Sequence, residues 1–200
     1  MLLHSATILI LLASASALNQ HSRIILGSAE KYAILTKTGI TTTGVTIVTG
    51  VTSVTGDLGT SPIGLAAITG FDLIRNSSGK VSTSSLVAGN VDGASQVAPT
   101  PSLLTTAVGD MQTAFLDAVG RTNYDFTELY EGVIEGKTLV RGLYKWSTDV
   151  AFTNGVTFDG TTNNAANPDA IWILQVAKDV VVGSGAIVKL AGGAQAENIF

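Results

Sequence analysis

The chain has 200 residues, a mass of 20.5 kDa and a net charge of −4; with 46% hydrophobic and only 13% charged residues, its composition excludes disorder over most of its length. Eleven Lys and Arg against fifteen Asp and Glu exclude the basic patch that nucleic acid or an anionic membrane surface requires. The absence of cysteine excludes disulfides and thiol nucleophiles, while 22 glycines and 25 threonines favour a β-rich fold with many tight turns.

Residues 1–17 (MLLHSATILILLASASA) read as a secretory signal peptide. The aliphatic run at 8–12 is too short to span a bilayer, and Ala15, Ser16 and Ala17 form an A-x-A cleavage pattern. A secreted, extracellular chain starting near Leu18 is expected, with no membrane contact after cleavage. Residues 24–35 read as strand, turn and strand. In residues 38–60, Val or Ile alternates with Thr, and 44–49 (GVTIVT) nearly repeats in 50–56 (GVTSVTG). Short strands with Thr on one face, broken by glycines, fit a β-solenoid; a hairpin of good β formers is the plainer alternative. Residues 61–99 read as an irregular capping insertion. Within it, Asn76, Ser77 and Ser78 form the one glycosylation sequon, suited to a surface loop.

A long helix is expected over about 101–119, capped by Thr100 and opened by Pro101. Its apolar stripe would be Leu103, Leu104, Ala107, Val108, Met111, Ala114, Phe115, Ala118 and Val119, ending at Gly120. Short strands follow at 138–140, 142–146, 150–153, 156–158, 171–176, 180–182 and 187–190. Strand and corner at this density suit a solenoid, with a β-sandwich as second choice.

The chain holds two histidines, His4 and His21, one inside the signal and one just after it. A body without His or Cys excludes His-based triads and most zinc sites, and no metal or cofactor is expected. The carboxylates stand mostly beside Gly or Asn in turns, which turn chemistry explains without catalysis; a Ca²⁺ site at Asp125 or Asp159 lacks ligand spacing. What remains is surface chemistry. Threonine carries a methyl and a hydroxyl on a stiff χ1, so an array of them on stacked strands roughly 4.8 Å apart could hold surface water in a lattice-like order.

The ordered motifs 26–29 (LGSA), 33–40 (AILTKTGI), 56–62 (GDLGTSP), 68–71 (ITGF), 98–101 (APTP), 120–123 (GRTN), 126–129 (FTEL), 142–146 (GLYKW), 171–175 (IWILQ) and 190–200 (LAGGAQAENIF) resemble the secreted microbial ice-binding (antifreeze) protein family. Tyr124 stands where many members have Pro. The resemblance implies a mostly β, irregular three-faced β-solenoid, with a long helix alongside and a capping insertion. It also implies adsorption to ice through one flat face, thermal hysteresis, inhibition of ice recrystallisation and no enzymatic activity; a monomer is expected. Carried over strand by strand, the ice-binding residues would be Ser53, Thr55, Asp57, Thr69, Ala151, Thr153 and Val181, with Phe152, Val180 and Val182 pointing inward. The segment between Ile40 and Gly56 is longer than the family's, and members continue with further coils past the 198–200 motif, which implies poor stability for a chain ending at Phe200. Two other classes stay open. A carbohydrate-binding adhesin would use Tyr124, Tyr130, Tyr144 and Trp146; a polysaccharide-acting enzyme would need an acidic cluster near Arg75, Arg121 or Arg141.

Overall fold

The computed structural model describes residues 21–42 and 54–200. Residues 1–20, of which 1–17 read as a signal peptide, and residues 43–53, most of the Val-Thr repeat with Ser53, lie outside the described residues. Two compact units result: residues 23–122, and residues 123–200 together with 21–22.

The first unit opens with a 3-10 turn at Gly27–Lys31 rather than with the expected first strand. Gly27 takes a left-handed φ of +56°, and the Asp110 carboxylate accepts bonds from the Ser28 N–H and hydroxyl, which winds the chain into a turn. The strands are then β1 (Tyr32–Thr36), β2 (Ile40–Thr41), β3 (Val54–Thr55), β4 (Asp57–Thr60), β5 (Ile68–Thr69), β6 (Ile74–Arg75), β7 (Ser82–Ser84) and β8 (Val87–Gly93). β1 pairs with β4, β3 and β4 with β8, and β2 with β5, all in parallel. Parallel partners met one coil later are the signature of a solenoid. Ile40, Leu58, Ile68, Phe71, Leu86, Val87 and Val91 form the core between the coils.

Among the described residues of this unit, only β6–β7 and β7–β8 pair antiparallel. The stretch read as an irregular insertion at 61–99 therefore also holds two rung strands, β5 and β8. The sequence of β8 (VAGNVDG) looks like a turn, but its glycines serve close approach: a Cβ on Gly93 would lie 2.5 Å from the Leu65 backbone nitrogen.

The helix α1 (Thr100–Gly120) forms as its periodicity predicts. Leu104, Ala107, Val108 and Ala114 are buried, whereas Leu103, Phe115 and Val119 are exposed. The expected stripe was too wide, since neighbours such as Leu103 and Leu104 lie about 100° apart around the axis and cannot both face the turn and β8 against which α1 packs. Thr100 does not cap. It lies within the helix and donates its hydroxyl to the Lys80 carbonyl at 2.7 Å, leaving Pro99 as the flanking residue.

The second unit contains β9 (Phe126–Thr127), β10 (Thr138–Val140), β11 (Gly142–Trp146), β12 (Val150–Phe152), β13 (Gly155–Asp159), β14 (Trp172–Val176), β15 (Val180–Val182) and β16 (Ile187–Ala191). They build three parallel sheets, ordered β9-β11-β14, β10-β13-β16 and β12-β15. A sandwich would need antiparallel pairs, so the solenoid reading stands and the sandwich falls. The interior is aromatic. Phe126, Tyr144 and Trp146 stack at centroid spacings of 4.6 and 5.4 Å, and the indole N–H groups of Trp146 and Trp172 donate to the carbonyls of Leu129 and Leu139.

Val180 and Val182 were expected inside but are 57% and 55% exposed. Their register is inward, opposite the buried Val150 and Phe152. β15 is the edge of its sheet, however, and among the described residues no further rung covers it.

Candidate functional site

The outward residues of the two-stranded sheets stand in register on neighbouring rungs. In the first unit, Ile40 and Ile68 of β2 and β5 point into the core, which turns Thr41 and Thr69 outward in register. The Thr69 hydroxyl donates to that of Thr41 at 3.0 Å, and the Thr42 N–H bonds the Thr69 carbonyl at 3.1 Å. The hydroxyl bond ties the two side chains together, and the rung repeat sets their spacing. Gly70 follows at φ +81°, where a Cβ would strike the Thr42 carbonyl; the tight corner holds the pair in place.

In the second unit, Ala151 of β12 lies beside Val181 of β15 and bridges to Val133 on its other side. The result is a row of three small or β-branched side chains across successive rungs. Phe152 is buried, as alternation predicts. Thr153, one residue past β12, has its hydroxyl and N–H bonded to the Glu135 carboxylate, which also accepts the Asn154 N–H at 2.9 Å. These backbone bonds, that from Asn154 foremost, hold the Glu135 carboxyl down to about 2.

The remaining expected residues lie elsewhere in the first unit. Thr55 is exposed on β3, opposite Ala88 of β8, in a different sheet from Thr69. Asp57 is partly buried and engaged: Oδ1 accepts the Asn90 N–H at 2.8 Å, and Lys31 Nζ lies 3.5 Å from Oδ2. The structure thus joins Ala151 with Val181, separates Thr55 and Asp57 from Thr69, and adds Thr41. The signal for Thr41 was present in the chain: the dipeptide Ile-Thr at 40–41 recurs at 68–69.

The other chemistries find little. Among the described residues, no group of three His, Asp or Glu side chains is placed to hold a metal ion. The Asp125 side chain is buried and bonded to the Leu143 N–H at 2.9 Å and to His21 Nε2 at 2.6 Å. His21 therefore belongs to the folded body, contrary to expectation, because the chain from residue 21 is bound in place. Asp159 accepts the Thr161 N–H at 2.9 Å and is held below the usual carboxylate range by its bonds to Thr161. Of the four aromatics an adhesin would use, Tyr144 and Trp146 are fully in the core. Lys145 sits over the Tyr124 ring and Lys137 over the Tyr130 ring.

Stacked parallel rungs with uncharged outward rows define a β-solenoid. The chain belongs to the ice-binding-like family, whose model matches residues 34–200. It is 41% identical over 195 residues to ice-binding protein K3-B1 of Typhula ishikariensis, covering 98% of this chain and 75% of that protein. It is 44% identical over 173 residues to an ice-binding protein of Lentinula edodes, covering 86% and 56%. Among solved structures it resembles a glycosylated ice-binding protein from an Arctic yeast, with a TM-score of 0.77 and 37% identity over 90% of this chain and 73% of the other.

Proposed function

We propose that this chain adsorbs to ice and that each unit carries an outward row that makes such contact, Thr41–Thr69 in the first and Val133–Ala151–Val181 in the second. The observation that carries the reading is the in-register threonine pair with its 3.0 Å hydroxyl bond. Adsorption to a crystal needs many weak contacts at fixed spacing, and parallel rungs repeat at roughly 4.8 Å. A hydroxyl tied to its neighbour keeps a lone pair for surface water, while the adjacent methyl favours water that is already ordered. Charge is absent from both rows, so no strongly hydrated group holds liquid water at the contact. Thr55 and Ala88 extend such chemistry to the neighbouring sheet; Asp57 and Thr153, whose polar groups are bonded within the protein, contribute mainly to shape.

The function is a binding one without catalysis, and ice is the partner of a secreted monomer. The family, the signal-like pattern of residues 1–17 and the absence, among the described residues, of a helix long and apolar enough to cross a membrane support this. Thr69→Tyr and Ala151→Tyr each place a ring in one row without entering the core. Ice-crystal shape and thermal hysteresis are measured in a nanolitre osmometer, with circular dichroism as the check on folding. Most of the hysteresis is expected to vanish in both variants. Folded variants that keep the full gap would overturn the assignment of these rows.

A further inference from the structure

The antiparallel hairpin β6–β7 extends the sheet of parallel rungs from β8, and its turn carries Asn76, Ser77 and Ser78, all exposed. We propose that Asn76 bears an N-linked oligosaccharide, and that this glycan shields the apolar sheet edge beside it.

The turn is a defined platform. The Gly79 N–H bonds the Asn76 carbonyl and the Asn76 N–H bonds the Val81 carbonyl, each at 3.0 Å. The Gly79 carbonyl in turn accepts the Val97 N–H at 3.0 Å and Arg75 Nη2 at 3.3 Å. Arg75 also reaches the Ser95 carbonyl at 3.4 Å. The hairpin tip is therefore tied down from behind and presents its side chains to solvent. Ser78 Oγ donates to Asn76 Oδ1 at 2.8 Å. The hydroxyl that the sequon requires is already on the acceptor amide, and Nδ2 has no protein partner among the described residues. Nδ2 attacks the anomeric carbon of an oligosaccharide carried on a lipid pyrophosphate. A C–N bond forms, the C–O bond to the pyrophosphate breaks, the lipid pyrophosphate leaves with the bonding pair, and the proton lost from Nδ2 passes to a base of the transferase.

The site also has something to cover. β6 is the last strand of its sheet, with one side unpaired. Ile74 on it is 68% exposed, and Val97, whose Cγ2 would lie 3.1 Å from a Cβ on Gly79, is 49% exposed. An open strand edge with exposed aliphatics templates edge-to-edge association. Arg75, the one charge on β6, has its guanidinium turned to backbone carbonyls and guards the edge weakly. A hydrated glycan one residue beyond β6 takes up that role.

The test expresses the 200-residue chain behind a host secretory leader in yeast, alongside Asn76→Gln, Ser78→Ala and Ser78→Thr. Intact mass is read before and after peptide-N-glycosidase F in H₂¹⁸O, which leaves a labelled Asp at the modified position. Expected are hexose-laden masses for wild type and Ser78→Thr, the label at residue 76, and bare masses for Ser78→Ala and Asn76→Gln. Bare Asn76 in secreted wild type, while a control sequon protein from the same culture is glycosylated, overturns the site. Light scattering at equal concentration then compares wild type with Ser78→Ala, which keeps Asn76 uncharged. Several-fold faster association of the bare protein is expected; equal rates overturn the shielding.

Discussion

Thr60 lies on β4 with none of its surface exposed, and its hydroxyl meets no hydrogen-bond partner among the described residues. A buried hydroxyl left unmet costs about 1–3 kcal/mol in desolvation. Thr60→Val replaces that hydroxyl with a methyl of nearly the same size and keeps the β-branched χ1 preference, so the backbone and rotamer need not move. Stability should rise by about 1–3 kcal/mol. For a chain of this length that is roughly 2–4 °C in Tm per kcal/mol. Thr60→Ser is the opposite probe: it keeps the unmet hydroxyl, deletes a buried methyl and should lower stability by about 1 kcal/mol. Thr100→Val provides the contrast, because the Thr100 hydroxyl is well bonded to the Lys80 carbonyl at 2.7 Å; that change should cost about 0.5–1.5 kcal/mol. Urea unfolding followed by circular dichroism measures all three. A Thr60→Val variant no more stable than wild type would refute the reasoning, since it would mean that the hydroxyl is met after all.

Other consequences follow from the same contacts. Trp172→Phe removes roughly three buried ring atoms and the indole bond to Leu139, and should cost about 3 kcal/mol; a loss under about 1 kcal/mol would contradict the burial of the ring. The Glu135 carboxyl titrates near 2 in the folded chain against 4.5 ordinarily. Its stabilising bonds are fully present above about pH 4.5 and are lost as the pH falls toward 2. The stability gap between wild type and Glu135→Gln should therefore narrow over that window, and a gap independent of pH would count against the Thr153–Asn154 clamp. On α1, Leu104→Ala should cost about 2–5 kcal/mol. Phe115→Lys, at a residue 66% exposed, should stay within about 0.5 kcal/mol; similar losses for both would show that the helix is seated differently.

The local rules were legible because they are local. The strands at 138–140, 142–146, 180–182 and 187–190 and the helix after Pro101 follow from period, propensity and turn residues, and the structure has them within a residue or so. The 3-10 turn at Gly27–Lys31 was not legible, since it depends on Asp110, 82 residues away. Nor was the role of His21, which depends on Asp125, 104 residues away. β8 was missed because its glycines look like a turn until a neighbouring backbone is set against them. Within the candidate site, alternation placed Thr69 and Ala151 outward, but only pairing could show that Thr41 joins Thr69, that Thr55 lies in another sheet, and that Asp57 and Thr153 have their polar groups engaged.

The division is one of range. By itself the sequence determined the periodicity of most of the strands and of the helix, the absence of cysteine, and the ordered motifs of an ice-binding family. Tertiary structure decided which strand stacks on which, and so which outward side chains line up one rung apart. It also decided which inward ones are covered: Val150 is buried while Val180, its partner in register, is open to solvent. The physical reason is that burial and pairing are properties of a neighbour one coil away, about 28 residues from Thr41 to Thr69, and no window of local pattern reaches that far.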